Sequence, residues 1–167
     1  MGNKLQRIFE YRVLLSRAQK RQPELDAQEQ LRLERLRQQL PLSVPPLDDR
    51  DPYTLLTDSL PVEFAVEGRF GKGTLRNASG GGLAIATVDP PALGHPLAIH
   101  VQDRPHGLVY SFPARVVSRV VRGVAGMSVS FEGVPNQTRI AKISGVWVAQ
   151  EVDATSDSGP RKERDSA

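Results

Sequence analysis

A short polar and glycine-rich stretch, Asn77-Ala78-Ser79-Gly80-Gly81-Gly82, holds the residue types in this chain best suited to recognise a ligand. Glycine adopts a positive φ without a steric penalty and exposes its N–H, while Asn and Ser side chains add hydrogen-bond donors and acceptors. Such a turn can bind an anion or the edge of a base. The same residues also suit a tight hairpin in which Asn and Ser only form the turn. Local composition leaves both interpretations open.

No sequence pattern in the chain matches a known catalytic or metal-binding motif well. Gly71-Lys72-Gly73-Thr74 is not a phosphate-binding P-loop, because its lysine is not followed directly by Ser or Thr, and we expect a hairpin turn there. The spacing of His95, His100 and His106 places them on turns and opposite strand faces rather than in one cluster. Cysteine does not occur in the chain, which excludes disulfides and thiolate metal sites. We therefore expect no enzymatic activity, no metal site and no required cofactor.

Alternating apolar residues predict a mainly β fold over residues 61–150. Glycines separate the alternating segments at intervals typical of a small barrel. The segments are Val62, Phe64 and Val66; 74–76; Leu83 and Ile85; Leu97, Ile99 and Val101; Phe112, Ala114 and Val116; and Met127, Val129 and Phe131. We expect these segments to form a six-stranded antiparallel barrel, connected as a meander.

The end of this domain predicts a helix. Asn136 follows Pro135 and can cap a helix in which Ile140, Ile143 and Trp147 recur at three- and four-residue spacing. This helix would cover one opening of the barrel. Residues 151–167 are polar and predict a disordered tail.

The N-terminal part predicts a different structure. Residues 1–40 are rich in Leu, Arg, Gln and Glu and indicate either two helices, the second beginning at Pro23, or one helix kinked there. Packing on the barrel, an intermolecular coiled coil and binding to anionic lipid are three open roles for them. Residues 41–60 contain four prolines and predict an extended linker.

The polar and glycine-rich stretch, together with the strands around it, resembles a PilZ domain. The motif reads Asn77-x-Ser79-x-x-Gly82, and a closing Gly126-x-x-x-x-Phe131 follows at the end of the resemblance, which covers residues 61–150. The resemblance implies a bacterial, non-catalytic regulatory barrel, often a receptor for cyclic di-GMP. In such a receptor Asn77, Ser79 and the backbone of Gly80, Gly81 and Gly82 would contact the ligand.

The chain departs from the family pattern before the first strand. PilZ receptors typically carry Arg-x-x-x-Arg there, whereas Arg50 has Thr54 at the second position. An arginine donates bidentately to phosphate or guanine, with about 1–3 kcal/mol of discrimination for a good pair, and threonine cannot replace it. Asp48, Asp49 and Asp51 also surround Arg50 and would repel an anionic ligand.

Two functions remain from this comparison. In the favoured one the barrel is a regulatory adaptor that binds a protein partner in bacterial motility, polarity or surface-behaviour control, with cyclic di-GMP binding weakened or lost. In the alternative it is a cyclic di-GMP receptor in which Arg50, Arg76 or another basic residue supplies charge. The other basic candidates are Arg69, Lys72, Arg119 and Arg122.

Charge and hydropathy bound the location and the partners. The net charge of +3 is too small to indicate nucleic-acid binding. No apolar run approaches the roughly 20 residues that span a membrane. We therefore expect a cytoplasmic protein, with recruitment to a cell pole or membrane complex left open.

Overall fold

The computed structural model describes residues 2–20, 24–47, 60–123 and 125–150. Two helices precede eight strands in these residues. The elements are α1 (Gly2–Lys20), α2 (Ala27–Gln39), β1 (Leu60–Val66), β2 (Arg69–Ala78), β3 (Gly82–Ala86), β4 (Pro96–Asp103), β5 (Leu108–Val120), β6 (Gly126–Phe131), β7 (Asn136–Ile143) and β8 (Val146–Gln150), with a short 3-10 turn at Arg104–His106.

Six strands form a closed antiparallel barrel, which confirms the predicted fold. The strands follow one another in the order β4-β1-β2-β3-β6-β5, and β4 also pairs with β5 to close the ring. The predicted meander is wrong, because β1 pairs with β4 and β3 pairs with β6. Alternate side chains fill the interior, and Ile99, Phe112 and Val129 are at most 1% exposed.

Antiparallel pairing gives the barrel two ends with different turns. The turn between β2 and β3, residues 79–81, lies at the same end as the β4–β5 connection, and we call this the glycine end. The β1–β2 turn at Glu67-Gly68 and the β3–β4 connection at 87–95 lie at the other end, which we call the opposite end. The glycine motif is therefore a barrel length away from the β1–β2 turn.

The predicted C-terminal helix is wrong, since its residues form the β7–β8 hairpin. Ser144 and Gly145 have positive φ values of 52° and 81° and make a two-residue turn of the kind that joins antiparallel strands. The β-branched Thr138, Ile140 and Ile143 favour an extended backbone. β7 pairs with β5 and extends the sheet beyond the barrel.

The first helix takes the role predicted for the C-terminal helix. Leu5 and Ile8 are fully buried in the common core, and the ring of Phe9 lies 5.8 Å from that of Tyr110 near the glycine end. The Tyr110 hydroxyl donates to Gln6 Oε1 at 3.0 Å, and burial raises the pKa of this phenol. The N-terminal helical extension is thus confirmed and packs on the barrel.

The second helix packs on the first. α2 begins at Ala27 behind a capping box made by Asp26 and Glu29, later than predicted, while Pro23 lies outside the described residues. Glu29 of α2 accepts two hydrogen bonds from the Arg17 guanidinium of α1, and Leu36 of α2 is fully buried. No helix in the described part of the chain is long and apolar enough to cross a membrane.

Residues 41–47 form an extended segment across the outside of β3 and β6, and we call it the strap. It starts at the glycine end, where Pro41 O accepts from Gly80 N, and it reaches Gly126 at the start of β6. Midway, the buried Ser128 hydroxyl donates to Pro45 O at 2.8 Å. Residues 48–59, which include Arg50 and Thr54, lie outside the described residues, as do residues 151–167.

Candidate functional site

Every backbone N–H of the glycine-rich turn is bound within the protein. Ser79 N donates to Gly82 O, Gly80 N donates to Pro41 O, and the N–H groups of Gly81 and Gly82 both donate to Ser79 Oγ, at 2.7–3.2 Å. The same hydroxyl donates to Ser43 O at 2.6 Å, so its donor and both acceptor positions are used. Ser79 is 2% exposed. The turn has no N–H left with which to bind an anion.

Gly80 and Gly81 provide room for the strap, and Gly82 provides room for the carbonyl of Val129. None of them has a positive φ, so left-handed backbone is not why glycine is needed here. A Cβ on Gly81 would lie 2.2 Å from the carbonyl oxygen of Leu42, and one on Gly80 would lie 3.0 Å from the Leu42 side chain. The close approach foreseen for a ligand is therefore made by the chain itself.

Asn77 stands at the edge of this packed turn. Its Oδ1 accepts from Ala78 N at 2.8 Å and from Lys4 Nζ of α1 at 3.5 Å. Burial and, to a smaller extent, the neighbouring charge of Arg7 lower the pKa of Lys4. Asn77 thus faces a positively charged part of α1.

The predicted basic residues divide between the two ends. Arg76 is the bulge residue between the paired Leu75 and Asn77, and it makes no hydrogen bond or ion pair within the described residues. Arg119 donates to Pro90 O at 2.7 Å at the opposite end. Arg69 and Lys72 are exposed on β2 near that same end, and Arg122 is exposed in the β5–β6 connection.

A second cation of α1 also lies beside the motif. The Arg12 guanidinium lies 5.5 Å from the centre of the Phe131 ring, and Phe131 N donates to Gly81 O. Arg12 Nε is buried without a hydrogen-bond partner among the described residues, and burial lowers the pKa of Arg12.

Sequence reasoning missed the elements that surround the motif. Lys4 and Arg12 precede the motif by more than 60 residues, so no local pattern connects them to it. For the strap a signal existed, because proline-rich chain is extended and can lie along a sheet. That signal indicates the conformation but not the surface on which the segment lies.

The histidines lie at separate places. His95 forms an ion pair with Glu67 at 3.0 Å at the opposite end, and His106 contacts Asp103 at 3.0 Å at the glycine end. His100 lies on β4, half-buried and opposite Ser111. Within the described residues, no three His, Asp or Glu side chains come together in a way that could hold a metal ion.

One comparison identifies the domain. The family model of the PilZ domain matches residues 49–144, which is more than half of the chain and includes Arg50 and the whole barrel. No curated protein matches the chain significantly.

Proposed function

This chain belongs to the PilZ domain family of regulatory binding domains, and from that premise we propose that it is a non-catalytic adaptor in which cyclic di-GMP binding is weakened or lost. It acts in the bacterial cytoplasm by binding a protein partner in control of motility, polarity or surface behaviour, and that partner can recruit it to a pole or membrane complex. No cofactor and no nucleic acid are required in this function.

The observation that supports the proposal is that the backbone N–H groups of the glycine-rich turn are already bound within the protein. The N–H groups of residues 79–82 are bound to Ser79 Oγ, Gly82 O and Pro41 O, and Leu42 O occupies the space above Gly81. A guanine base would have to displace the strap and break the bonds to Ser43 O and Pro41 O before it could reach this backbone.

Charge supports the same proposal. The family pattern places a second arginine where this chain has Thr54. A missing bidentate donor removes about 1–3 kcal/mol, or roughly fivefold to 150-fold in affinity. The ligand would therefore gain less here than in a typical receptor, while displacing the strap costs more.

A cyclic di-GMP receptor is the second candidate, and the cations of α1 favour it. Lys4 contacts Asn77, Arg12 lies over Phe131 beside Gly81, and Arg76 has no partner in the described region. In this alternative these groups, or Arg50, replace the second arginine and the strap moves away when ligand binds.

Calorimetric titration with cyclic di-GMP at physiological salt separates the two candidates. The native chain is compared with Val44→Ser/Leu47→Ser, which weakens the apolar contacts of the strap with Gly82 and Gly126. The adaptor predicts no binding tighter than about 10 µM by either protein, because the arginine pair is incomplete even when the strap is loosened.

The receptor predicts the contrary result. Binding tighter than about 10 µM, or roughly 7 kcal/mol, by the loosened variant would identify the strap as a displaceable cover over a working site. Asn77→Ala/Ser79→Ala in the same background should then abolish the heat. Leu31→Ser, at a leucine 67% exposed on α2, is the matched control for removal of an apolar side chain far from the strap.

A further inference from the structure

We propose that the free edge of β2 at the opposite end, residues 69–73, is the docking site for an extended, acidic and apolar segment of a partner protein, which adds to the barrel as a strand. This inference rests on the proposed adaptor function and names the surface and the chemistry of its partner. It involves no residue of the glycine motif.

The edge is free because β2 is longer than its neighbour. Pairing of β2 with β3 starts at Thr74, opposite Ala86, whereas pairing with β1 continues to Arg69. Val66 and Arg69 flank the two-residue turn, and alternate residues of β2 then turn their backbone groups towards β1 and away from it. Phe70 and Lys72 turn theirs away.

Within the described residues, most of these outward backbone groups are unpaired. Thr87 Oγ1 donates to Lys72 O at 2.8 Å, which confirms the direction in which the Lys72 carbonyl points. The N–H groups of Phe70 and Lys72 and the carbonyl of Phe70 have no backbone partner in the described chain. A strand placed along this edge would bind them, as it does wherever a peptide extends a sheet.

The edge borders a cleft of about 490 Å³ with mainly apolar walls. Its walls include Phe64, Val66, Phe70, Val88 and the prolines at 90 and 91. Phe70 is 84% and Val88 94% exposed, so two large apolar side chains at this cleft are open to solvent. An apolar side chain of the partner would enter this cleft.

Gly71 lets the Phe64 ring lie directly against β2. A Cβ on this residue would lie 2.4 Å from the Phe64 ring, which is paired directly across from it in β1. The predicted hairpin turn at residues 71–74 is wrong, and its glycines lie in the middle of β2. A Cβ on Gly73 would lie 2.4 Å from Ala86 O, so this glycine admits the neighbouring backbone of β3, and the Phe64 ring over Gly71 forms an apolar wall of the cleft.

The charges of the edge select an acidic segment. Arg69 and Lys72 are exposed and form no ion pair within the described residues, whereas Glu67 is paired with His95. Asp89, on the far wall, is the acidic group among the residues that line the cleft. A carboxylate of the added strand opposite Lys72 makes a favourable cross-strand pair, and a lysine there makes an unfavourable one.

The probe is an eight-residue peptide, acetyl-Thr-Val-Thr-Glu-Thr-Val-Thr-Glu-amide, which presents Val and Glu on one face of a strand. Its binding to the full chain is followed by calorimetric titration, and backbone contact by hydrogen exchange at the amides of Phe70 and Lys72. We expect saturable binding and slower exchange at both amides. Phe70→Ser should weaken binding by about tenfold or more, because the apolar wall is lost.

A second pair of variants separates backbone pairing from charge. Lys72→Pro removes an N–H that does not bond to β1, and Lys72→Ala removes the same charge but keeps the N–H. We expect the proline variant to bind more weakly than the alanine variant. Leu31→Ser, which removes an exposed leucine from α2, should leave binding unchanged.

Several results would overturn the proposal. The first is an absence of saturable binding. The second is equal binding of a peptide with Lys in place of Glu, or of a peptide N-methylated at alternate residues. The third is that the peptide does not bind, while the chain binds phosphatidylglycerol vesicles or self-associates and Phe70→Ser abolishes that interaction. Cyclic di-GMP titration of the same samples tests the proposed function separately. A ligand response there would contradict the adaptor, whereas failure of the peptide alone would overturn only the docking edge.

Discussion

The two ends of the barrel differ in whether their backbone N–H groups are already paired within the protein. At the glycine end, Gly80 and Gly81 let the strap approach, and every N–H of residues 79–82 is bound inside the protein. At the opposite end, Gly71 admits only the Phe64 ring, and the N–H groups of Phe70 and Lys72 along the strand edge are unpaired in the described chain. Residues whose types predict a binding site can therefore have all their backbone N–H groups bound within the protein. A stretch without a recognisable motif can have backbone N–H groups that are unpaired in the described chain.

Of the substitutions predicted here, that of Gly82 should lower the free energy of unfolding the most. A Cβ at this position would lie 1.9 Å from Val129 O, in the β3–β6 ladder, where neither backbone can move without breaking pairs. We expect Gly82→Ala to lower the free energy of unfolding by about 3 kcal/mol in a urea titration. Gly123→Ala is the control, since a Cβ there meets nothing within 4 Å and costs only about 1–2 kcal/mol for its positive φ. Equal losses would contradict the close approach.

Ser79→Ala should have the next largest effect on the glycine end. The substitution removes the acceptor of Gly81 N and Gly82 N and the donor to Ser43 O, and of these residues Gly82 is buried and Gly81 is half-buried. We expect a loss of about 2 kcal/mol in the free energy of unfolding. Ser118→Ala, at an exposed serine of β5, should change it by less than about 0.5 kcal/mol. If the two variants were alike, the hydroxyl would not hold the strap.

Removal of the Ser128 hydroxyl should weaken the strap at its midpoint. This hydroxyl is 3% exposed and donates to Pro45 O, so Ser128→Ala leaves one buried carbonyl unpaired. We expect a loss of about 1 kcal/mol, seen as a melting temperature lower by about 3 °C. A melting temperature equal to that of the native chain would show that the strap is not held at Pro45.

The smallest effect on stability is expected at the opposite end. Phe70→Ser removes a side chain that is 84% exposed, and we expect the free energy of unfolding to change by less than about 0.5 kcal/mol. Phe64→Ser, at the buried phenylalanine of the neighbouring strand, should cost at least about 3 kcal/mol. A large loss from Phe70→Ser would mean that this ring is covered in solution, which would remove the contrast between the ends.

The alternation of apolar residues was sufficient to predict the barrel, because a period of two fixes which side chains face inward. It was insufficient at the C-terminus, where Ile140, Ile143 and Trp147 fit helical spacing and the turn residues Ser144 and Gly145 were the better signal. The strand order could not be read at all, since pairing of β1 with β4 and of β3 with β6 joins segments distant in sequence.

The site residues show a similar limit. Asn77, Ser79 and Gly82 occur in the order of the family motif, and the family assignment is confirmed. Whether those residues bind a ligand depends on contacts from Pro41, Ser43 and Lys4, which fold onto the turn from elsewhere in the chain. Motif residues alone do not reveal which groups are already bound.

Hydrogen exchange at the amides of Gly80, Gly81 and Gly82, with and without cyclic di-GMP, tests the closed glycine end most directly. We predict slow exchange in the free protein, because each amide is bound to Pro41 O or Ser79 Oγ, and no change when cyclic di-GMP is added. Fast exchange in the free protein that becomes slow with cyclic di-GMP would contradict the account, since it would mean that the strap leaves the turn open and that the ligand occupies it.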